Sequence, residues 1–114
     1  MATTLETYKI KRGSRAGIRM QLLQGNNQPM PLADATSIRL QLRPLNGGPL
    51  TMDREATQTN QASGEVEVIP DASEVDTPGQ YLGEWRITYS GGDIIIPDDD
   101  YIRFVILDSL APTP

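Results

Sequence analysis

The 114-residue chain contains neither cysteine nor histidine. Their absence excludes disulfide bonds, thiolate or imidazole metal sites, cysteine nucleophiles and serine–histidine relays. Long apolar runs are also absent, since the longest strongly apolar segment is Phe104–Leu107, and the first residues lack the basic and apolar regions of a signal peptide. We therefore expect a protein that is not an enzyme, carries no cofactor and is targeted neither to a membrane nor to secretion.

Basic residues are in the minority, with ten Lys and Arg against fifteen Asp and Glu, so that the formal net charge is −5. This balance argues against binding a nucleic-acid backbone through bulk charge. The two signs are unevenly distributed: residues 1–57 carry eight basic and four acidic side chains, and residues 58–114 carry two basic and eleven acidic ones. Two interpretations remain open. The asymmetry reflects a charge-complementary contact with a neighbour or another copy, or the fold interleaves both halves in space.

Alternation of apolar and polar residues recurs about every ten residues, with turns rich in Gly, Pro and Asn between the alternating segments. Because each short strand has one apolar face that must be covered, the pattern predicts an all-β, antiparallel, Ig-like β-sandwich of seven to eight strands. The only candidate helix is a single turn at residues 72–75. One domain is expected over residues 1–114, with its core at about 6–108 and a short Pro-containing tail at 109–114. The predicted strands are 6–12, 18–22, 38–43, 50–57, 65–69, 81–89, 94–96 and 101–107.

The segment that begins at Asp76 is the most informative part of the chain. Pro78 and Gly79 form a turn, and the following strand places its aromatic and branched residues on one side. This segment contains the only Trp and two of the four Tyr. We therefore predict that the centre of the hydrophobic core is formed by Tyr81, Trp85 and Ile87.

The turn before this strand resembles the tyrosine corner of immunoglobulin-like domains, in which Asp, Gly and Tyr lead into a central strand. Asp76, Gly79 and Tyr81 match that pattern, with one extra residue between Asp and Gly. Gly83 lies where antibody domains place a cysteine. The resemblance implies an Ig-like shape without the antibody disulfide.

Two groups of carboxylates are candidate chemical sites. Asp98, Asp99 and Asp100 offer oxygen ligands for Ca²⁺, but they lack the glycine and the later bidentate glutamate of an EF-hand loop, so a solvated turn is favoured and no metal site is predicted. Whether these three residues bind a cation is left open. Glu65 and Glu67 face one side of a predicted strand, as paired catalytic acids do, but alternation alone predicts two outward-facing carboxylates there.

The first strand carries the candidate docking residues. Lys9, Lys11 and Arg12 begin a basic cluster that continues to Arg15 and Arg19. Solvated strand faces are one interpretation of this cluster, and a docking patch for an acidic neighbour is the other.

The order of these segments is similar to that of small β-sandwich modules in tailed-phage virion proteins, such as the N-terminal domain of the upper baseplate protein and fibre-associated sandwich domains. The similarity covers residues 6–108 and consists of turn residues combined with alternating strands. It depends on Arg12-Gly13, Pro31–Thr36 before Ile38–Arg43, Gly64–Val68, Thr77–Trp85, Gly91-Gly92 with Pro97, and Phe104–Leu107.

The resemblance implies a non-enzymatic virion protein, made in the host cytoplasm, that attaches parts of the particle to one another. The expected partners are other phage structural proteins in multiple copies, in the tail, the baseplate, the fibre attachment or the head surface, with no nucleic acid, membrane or small-molecule substrate. A free-standing module that binds carbohydrate or a cell surface is the alternative. It is less favoured, because carbohydrate binders need exposed aromatic platforms and most of the six aromatics are predicted on core faces.

Overall fold

The computed structural model describes residues 7–24, 26, 28–97, 101–108 and 110. Nine β-strands and one 3-10 helix form the regular structure of these residues, and the helix occupies Ala72–Val75, where the sequence predicts a single turn. The strands are β1 (Thr7–Lys11), β2 (Ile18–Gln21), β3 (Ser37–Pro44), β4 (Met52–Glu55), β5 (Thr57–Asn60), β6 (Glu65–Val68), β7 (Gly79–Tyr89), β8 (Gly92–Ile96) and β9 (Ile102–Leu107).

The strands form two sheets that pack face to face, which confirms the predicted all-β sandwich. The larger sheet has the order β1-β9-β7-β3-β4, with β8 also paired to β7, and the smaller has the order β2-β6-β5. Strand β7 is long enough for two partners on one side, since residues 79–83 pair with β9 and residues 85–89 pair with β8. Strand β1 therefore lies at an edge of the larger sheet, next to β9.

The segment predicted as one strand at 50–57 contains β4 and ends at the first residue of β5, which belongs to the other sheet. Strand β4 pairs with β3 in the larger sheet, and β5 pairs with β6 in the smaller one. Ala56 alone separates them, and its N–H donates to the carbonyl of Ile38 at 2.7 Å. The change of sheet gives nine strands, where seven to eight were predicted. Only Met52 and Ala56 are apolar between residues 52 and 60, so the sequence pattern there is too weak to show where one strand ends and the next begins.

One strand pair departs from the predicted antiparallel arrangement. Strand β1 runs parallel to β9, with Thr7 opposite Arg103 and Lys11 opposite Leu107. Short hairpins force antiparallel pairing only between strands that follow each other in the chain. The first and last strands have no such hairpin between them, so local sequence patterns cannot set their relative direction.

The core lies between the sheets and is centred on β7. Trp85 and Ile87 are fully buried and Tyr81 is 5 % exposed. The Trp85 indole Nε1 donates to the sulfur of Met20 in the opposite sheet at 3.2 Å. Strict alternation in β7 therefore places its large residues inward over the whole length of the sandwich.

The tyrosine corner is confirmed by a specific hydrogen bond. The Tyr81 hydroxyl donates to the carbonyl oxygen of Thr77 at 2.6 Å, across the turn that precedes β7. Burial, with a smaller effect of the nearby Asp76 charge, raises the pKa of Tyr81. The hydroxyl therefore stays protonated and anchors the turn to the end of the core.

Removing this hydroxyl should weaken the fold modestly. Tyr81→Phe is expected to lower the free energy of unfolding by about 1 kcal/mol, since one partly buried hydrogen bond is lost. Urea denaturation at neutral pH measures the change. Tyr8→Phe is the matched control, because no hydrogen bond of the Tyr8 hydroxyl is found among the described residues, and equal losses in both variants would contradict the anchoring role of Tyr81.

Candidate docking surface

The structure places Lys9 and Lys11 on the outward face of the edge strand β1. Alternation turns Ile10 into the core and leaves both lysine side chains exposed. They are the only two lysines of the chain. Both are available for contact with another molecule, and their role in docking stays a prediction.

Arg12 has a different environment from the two lysines. Its Nε donates to Asp108 Oδ1 at 2.8 Å, and its side chain is only 12 % exposed. Its backbone N–H donates to the carbonyl of Leu107. Arg12 therefore fastens the end of β1 to the end of β9, so a variant of Arg12 would disturb the fold as well as any docking surface.

The remaining arginines of the predicted basic cluster lie elsewhere. Arg15 donates to the carbonyl of Pro70 at 3.4 Å. Arg19 lies on β2 in the smaller sheet, where it donates to Glu67 Oε2 at 2.8 Å, and the hydrogen bond and charge of Glu67 raise the pKa of Arg19. The sequence cluster is thus divided between two sheets.

Sequence reasoning missed Arg103 as a neighbour of the lysines. Arg103 lies on β9 opposite Thr7, two residues before Val105, which is opposite Lys9. In matched register these outward positions share one face, so Lys9, Lys11 and Arg103 form a group that we call the basic edge. Alternation predicts the outward position of Arg103, but only the pairing of β1 with β9 brings it to the lysines.

Several other charges of the larger sheet are paired within the protein. Arg86 Nη1 donates to Asp93 at 3.0 Å and lowers the pKa of that carboxyl group. Arg54 joins Asp71 and Glu74 at 2.6 and 2.7 Å, which holds the 3-10 helix against β4. By contrast, Lys9, Lys11 and Arg103 have no carboxylate partner within the part of the chain that the structure describes.

The ion pair between Arg39 and Asp53 should make stability depend on pH. Arg39 Nε donates to Asp53 Oδ1 at 2.7 Å, and this hydrogen bond lowers the pKa of Asp53. Because the folded pKa is below the unfolded value of about 4, the contribution to stability is present above that pH and is lost as the pH falls through the folded pKa. The Asp53 side chain is 42 % exposed, so the effect should not exceed about 1 kcal/mol.

Urea titrations at pH 7 and at pH 3 would measure this contribution. Asp53→Asn is expected to lose less stability between the two pH values than the wild type does. Glu55→Gln is the control, since it removes a carboxylate from the same strand without breaking an ion pair found among the described residues. An identical acid dependence of Asp53→Asn and wild type would contradict the assignment.

Of the acidic candidates, the structure describes Glu65 and Glu67. Glu67 accepts from Arg19, and Glu65 accepts from the Ser63 hydroxyl at 3.0 Å, both on the outer side of the smaller sheet. Residues 98–100 lie outside the described residues, so their prediction as a solvated turn stays untested. Within the described ranges, no group of three or more acidic side chains could hold a metal ion, and no helix is long and apolar enough to cross a membrane.

A shallow depression of about 120 Å³ lies on the outer face of the larger sheet. Its lining includes Leu50, Leu82 and Tyr101, and the Arg43 guanidinium lies 5.8 Å from the centre of the Tyr101 ring. Tyr101 is 39 % exposed and is the sole exposed aromatic side chain among the residues described. Because the Arg43 guanidinium lies over the Tyr101 ring, this one exposed aromatic offers little surface on which a sugar ring could stack.

No protein-family model and no curated protein sequence matches the chain. Among solved structures, the chain is similar to the N-terminal domain of phage TP901-1 ORF48, with a TM-score of 0.60 and 11 % sequence identity. The match covers 90 % of this chain and 85 % of that chain. At this identity the likeness establishes a shared fold. The predicted resemblance to a phage sandwich module is therefore confirmed at the level of the fold.

Proposed function

We propose that the protein is a non-enzymatic structural component of a phage particle, where it joins neighbouring structural proteins. The observation that carries this proposal is the fold shared with a phage protein domain over 90 % of the chain. The protein would act as an assembly or adaptor module, in multiple copies, in the tail, the baseplate, the fibre attachment or the head surface. Its partners would be other virion proteins.

The arrangement of polar side chains supports a role without catalysis. The buried residues of the described core include no polar or charged side chain. The outward carboxylates Glu67, Asp53 and Asp93 are each paired with an arginine of the same sheet. Such pairs stabilise surfaces and do not present a poised acid or base to a substrate.

Mass spectrometry of purified virions tests this function. The protein should remain at a constant ratio to the major structural proteins through gradient purification and a high-salt wash. A non-structural protein of the same infected cells serves as the control and should disappear during purification. Absence of the protein from washed mature particles would contradict the proposal.

Carbohydrate or cell-surface binding is the alternative function, and Tyr101 with Arg43 is the place where it would occur. A glycan array probed with the isolated protein distinguishes the two functions. Under the structural role, no glycan should be bound above background. Selective glycan binding that is lost in Tyr101→Ala would favour the alternative.

A further inference from the structure

We infer that β1 is a docking edge that accepts an extended acidic segment of a neighbouring protein as an additional strand of the larger sheet. This inference deepens the proposed function and rests on it for the identity of the neighbour. It depends on three observations: the position of β1, the charges on its outward face and the apolar residues beside them.

Among the described residues, no strand pairs with β1 on the side that faces away from β9. Strand β1 lies at the end of the larger sheet and pairs only with β9 among the described residues. The N–H of Arg12 points to β9, where it donates to Leu107. Since successive N–H groups of an extended strand point to opposite sides, those of Lys11 and Lys9 point away from β9. An incoming strand would find the N–H groups of Lys9 and Lys11 there. Beyond them, the Gly13 N–H already donates to the Val75 carbonyl, and the Lys11 carbonyl already accepts from the Ser14 N–H, so pairing would end at Lys11.

The side chains beside this open backbone are cationic. The basic edge places Lys9 and Lys11 on the same face as Arg103, and the chain as a whole has a net charge of −5. An added strand would place every second side chain directly next to the lysines. Carboxylates at those positions would pair with the lysines, and basic residues there would be repelled.

Each of three other edge strands carries a charge that is paired within the protein. Arg19 of β2 pairs with Glu67, Asp53 of β4 pairs with Arg39, and Asp93 of β8 pairs with Arg86. The two lysines of β1 have no such partner in the described part of the chain. The basic residues Arg19 of β2 and Arg54 of β4 are both paired, whereas Glu55 of β4 has no ion pair among the described residues. The contrast therefore distinguishes β1 by its unpaired basic side chains, which are available to an acidic partner.

Apolar groups complete the recognition surface. Val105 and Leu107 are half-buried on the outward face next to Lys9 and Lys11, and Tyr8 is half-buried on the inward face at the margin of the core. The matching segment would therefore alternate, with acidic side chains on the outward face and apolar side chains next to Tyr8. Main-chain hydrogen bonds would supply affinity, and these two faces would supply specificity.

A second copy of β1 is not a suitable occupant. Pairing two β1 strands would bring the lysines of both copies together, and like charges directly opposite each other destabilise a sheet. Lysines at strand edges also prevent unwanted pairing with other proteins. If that were the only role of Lys9 and Lys11, β1 would have no partner in the particle. The experiments below separate docking from protection.

Zero-length crosslinking of intact particles with a carbodiimide tests the inference in place. Lys9 and Lys11 carry the only side-chain amines of the chain. We expect peptides in which one of these two lysines is joined to an Asp or Glu of a different virion protein. Particles that contain the protein but yield no such crosslink would overturn the inference and leave the proposed function intact.

Peptide binding tests the same edge without the particle. The probe is a short synthetic peptide in which Glu alternates with Val, and a peptide with Gln in place of Glu is its control. Lys9→Gln/Lys11→Gln should weaken binding of the acidic peptide about tenfold, if each lost pair contributes about 0.7 kcal/mol. Thr59→Glu/Gln61→Glu lowers the net charge by the same two units as Lys9→Gln/Lys11→Gln, but at the end of β5 in the smaller sheet, and should bind the acidic peptide nearly as the wild type does. Lys9→Arg/Lys11→Arg keeps the positive charges of β1 and should retain binding.

Three outcomes would overturn docking at β1: no binding, equal binding of the Gln peptide, or self-association that depends on the lysines in sedimentation equilibrium. Thermal melting of each variant establishes that its fold is intact. If the acidic peptide binds β1 but the protein is absent from virions, the proposed function fails and the docking edge stands.

Discussion

Trp85→Ala is expected to lower the free energy of unfolding by about 3–5 kcal/mol. Trp85 is fully buried at the centre of the core, and its indole bridges the two sheets through Met20. Truncation removes the largest side chain there and leaves a cavity that neighbouring strands cannot fill. Small domains have only about 5–15 kcal/mol of stability, so the variant should be partly unfolded at physiological temperature.

Equilibrium urea denaturation of Trp85→Ala, followed by far-UV circular dichroism, measures this loss. Leu50→Ala is the matched control, because Leu50 is 49 % exposed on the outer face and its truncation should change stability little. Stability close to that of the wild type in Trp85→Ala would contradict the central position of this residue in the core.

Gly83→Ala is expected to destabilise the protein by about 1–3 kcal/mol through overpacking. A Cβ atom at this position would lie 2.5 Å from Leu42 Cδ2 and 2.5 Å from Phe104 Cε1. Both neighbours are fully buried and cannot move without displacing others. The site where antibody domains have a cysteine is thus occupied by the side chains of adjacent strands.

The control for this variant is Gly91→Ala. A Cβ at Gly91 would have no neighbouring atom within 4 Å, and the substitution should leave the urea midpoint nearly unchanged. Equal urea midpoints for Gly83→Ala and Gly91→Ala would show that Leu42 and Phe104 can make room for the added methyl group. That result would contradict tight packing around Gly83.

The elements that depend on local sequence were predictable. The inward alternation of β7 and the single helical turn at 72–75 follow from residues close together in the chain. Gly79, predicted to form a turn with Pro78, is instead the first residue of β7. The corner hydrogen bond between Tyr81 and Thr77 also spans only four residues. In these segments the side-chain pattern and the turn residues favour the same structure.

The elements that depend on distant pairing were not predictable. Residues 52–60 contain only two apolar residues, Met52 and Ala56, so the change of sheet between β4 and β5 leaves no local signal. The parallel pairing of β1 with β9 joins the two ends of the chain. That pairing also decides the docking surface, since it adds Arg103 to the lysines and gives Arg12 an intramolecular partner in Asp108.

The proposed role in assembly and the docking edge together describe how the protein would contact its neighbour in the particle. The sandwich is the folded domain, and β1 is its edge strand for docking. The two exposed lysines of β1 would pair with carboxylates of the neighbouring protein. Removing these charges should therefore affect particle assembly more than stability, in contrast to the substitutions in the core. Lys9→Gln/Lys11→Gln separates the two effects, because both side chains are exposed.

A cryo-electron microscopy map of the intact particle, at a resolution that traces individual strands, would show both the structural role and the docking edge. We expect repeated copies of the nine-stranded sandwich, each with β1 next to an extended segment of a neighbouring virion protein whose Asp or Glu side chains approach Lys9 and Lys11. A particle map with every density assigned to other proteins would contradict the structural role, and copies with β1 facing solvent would contradict the docking edge.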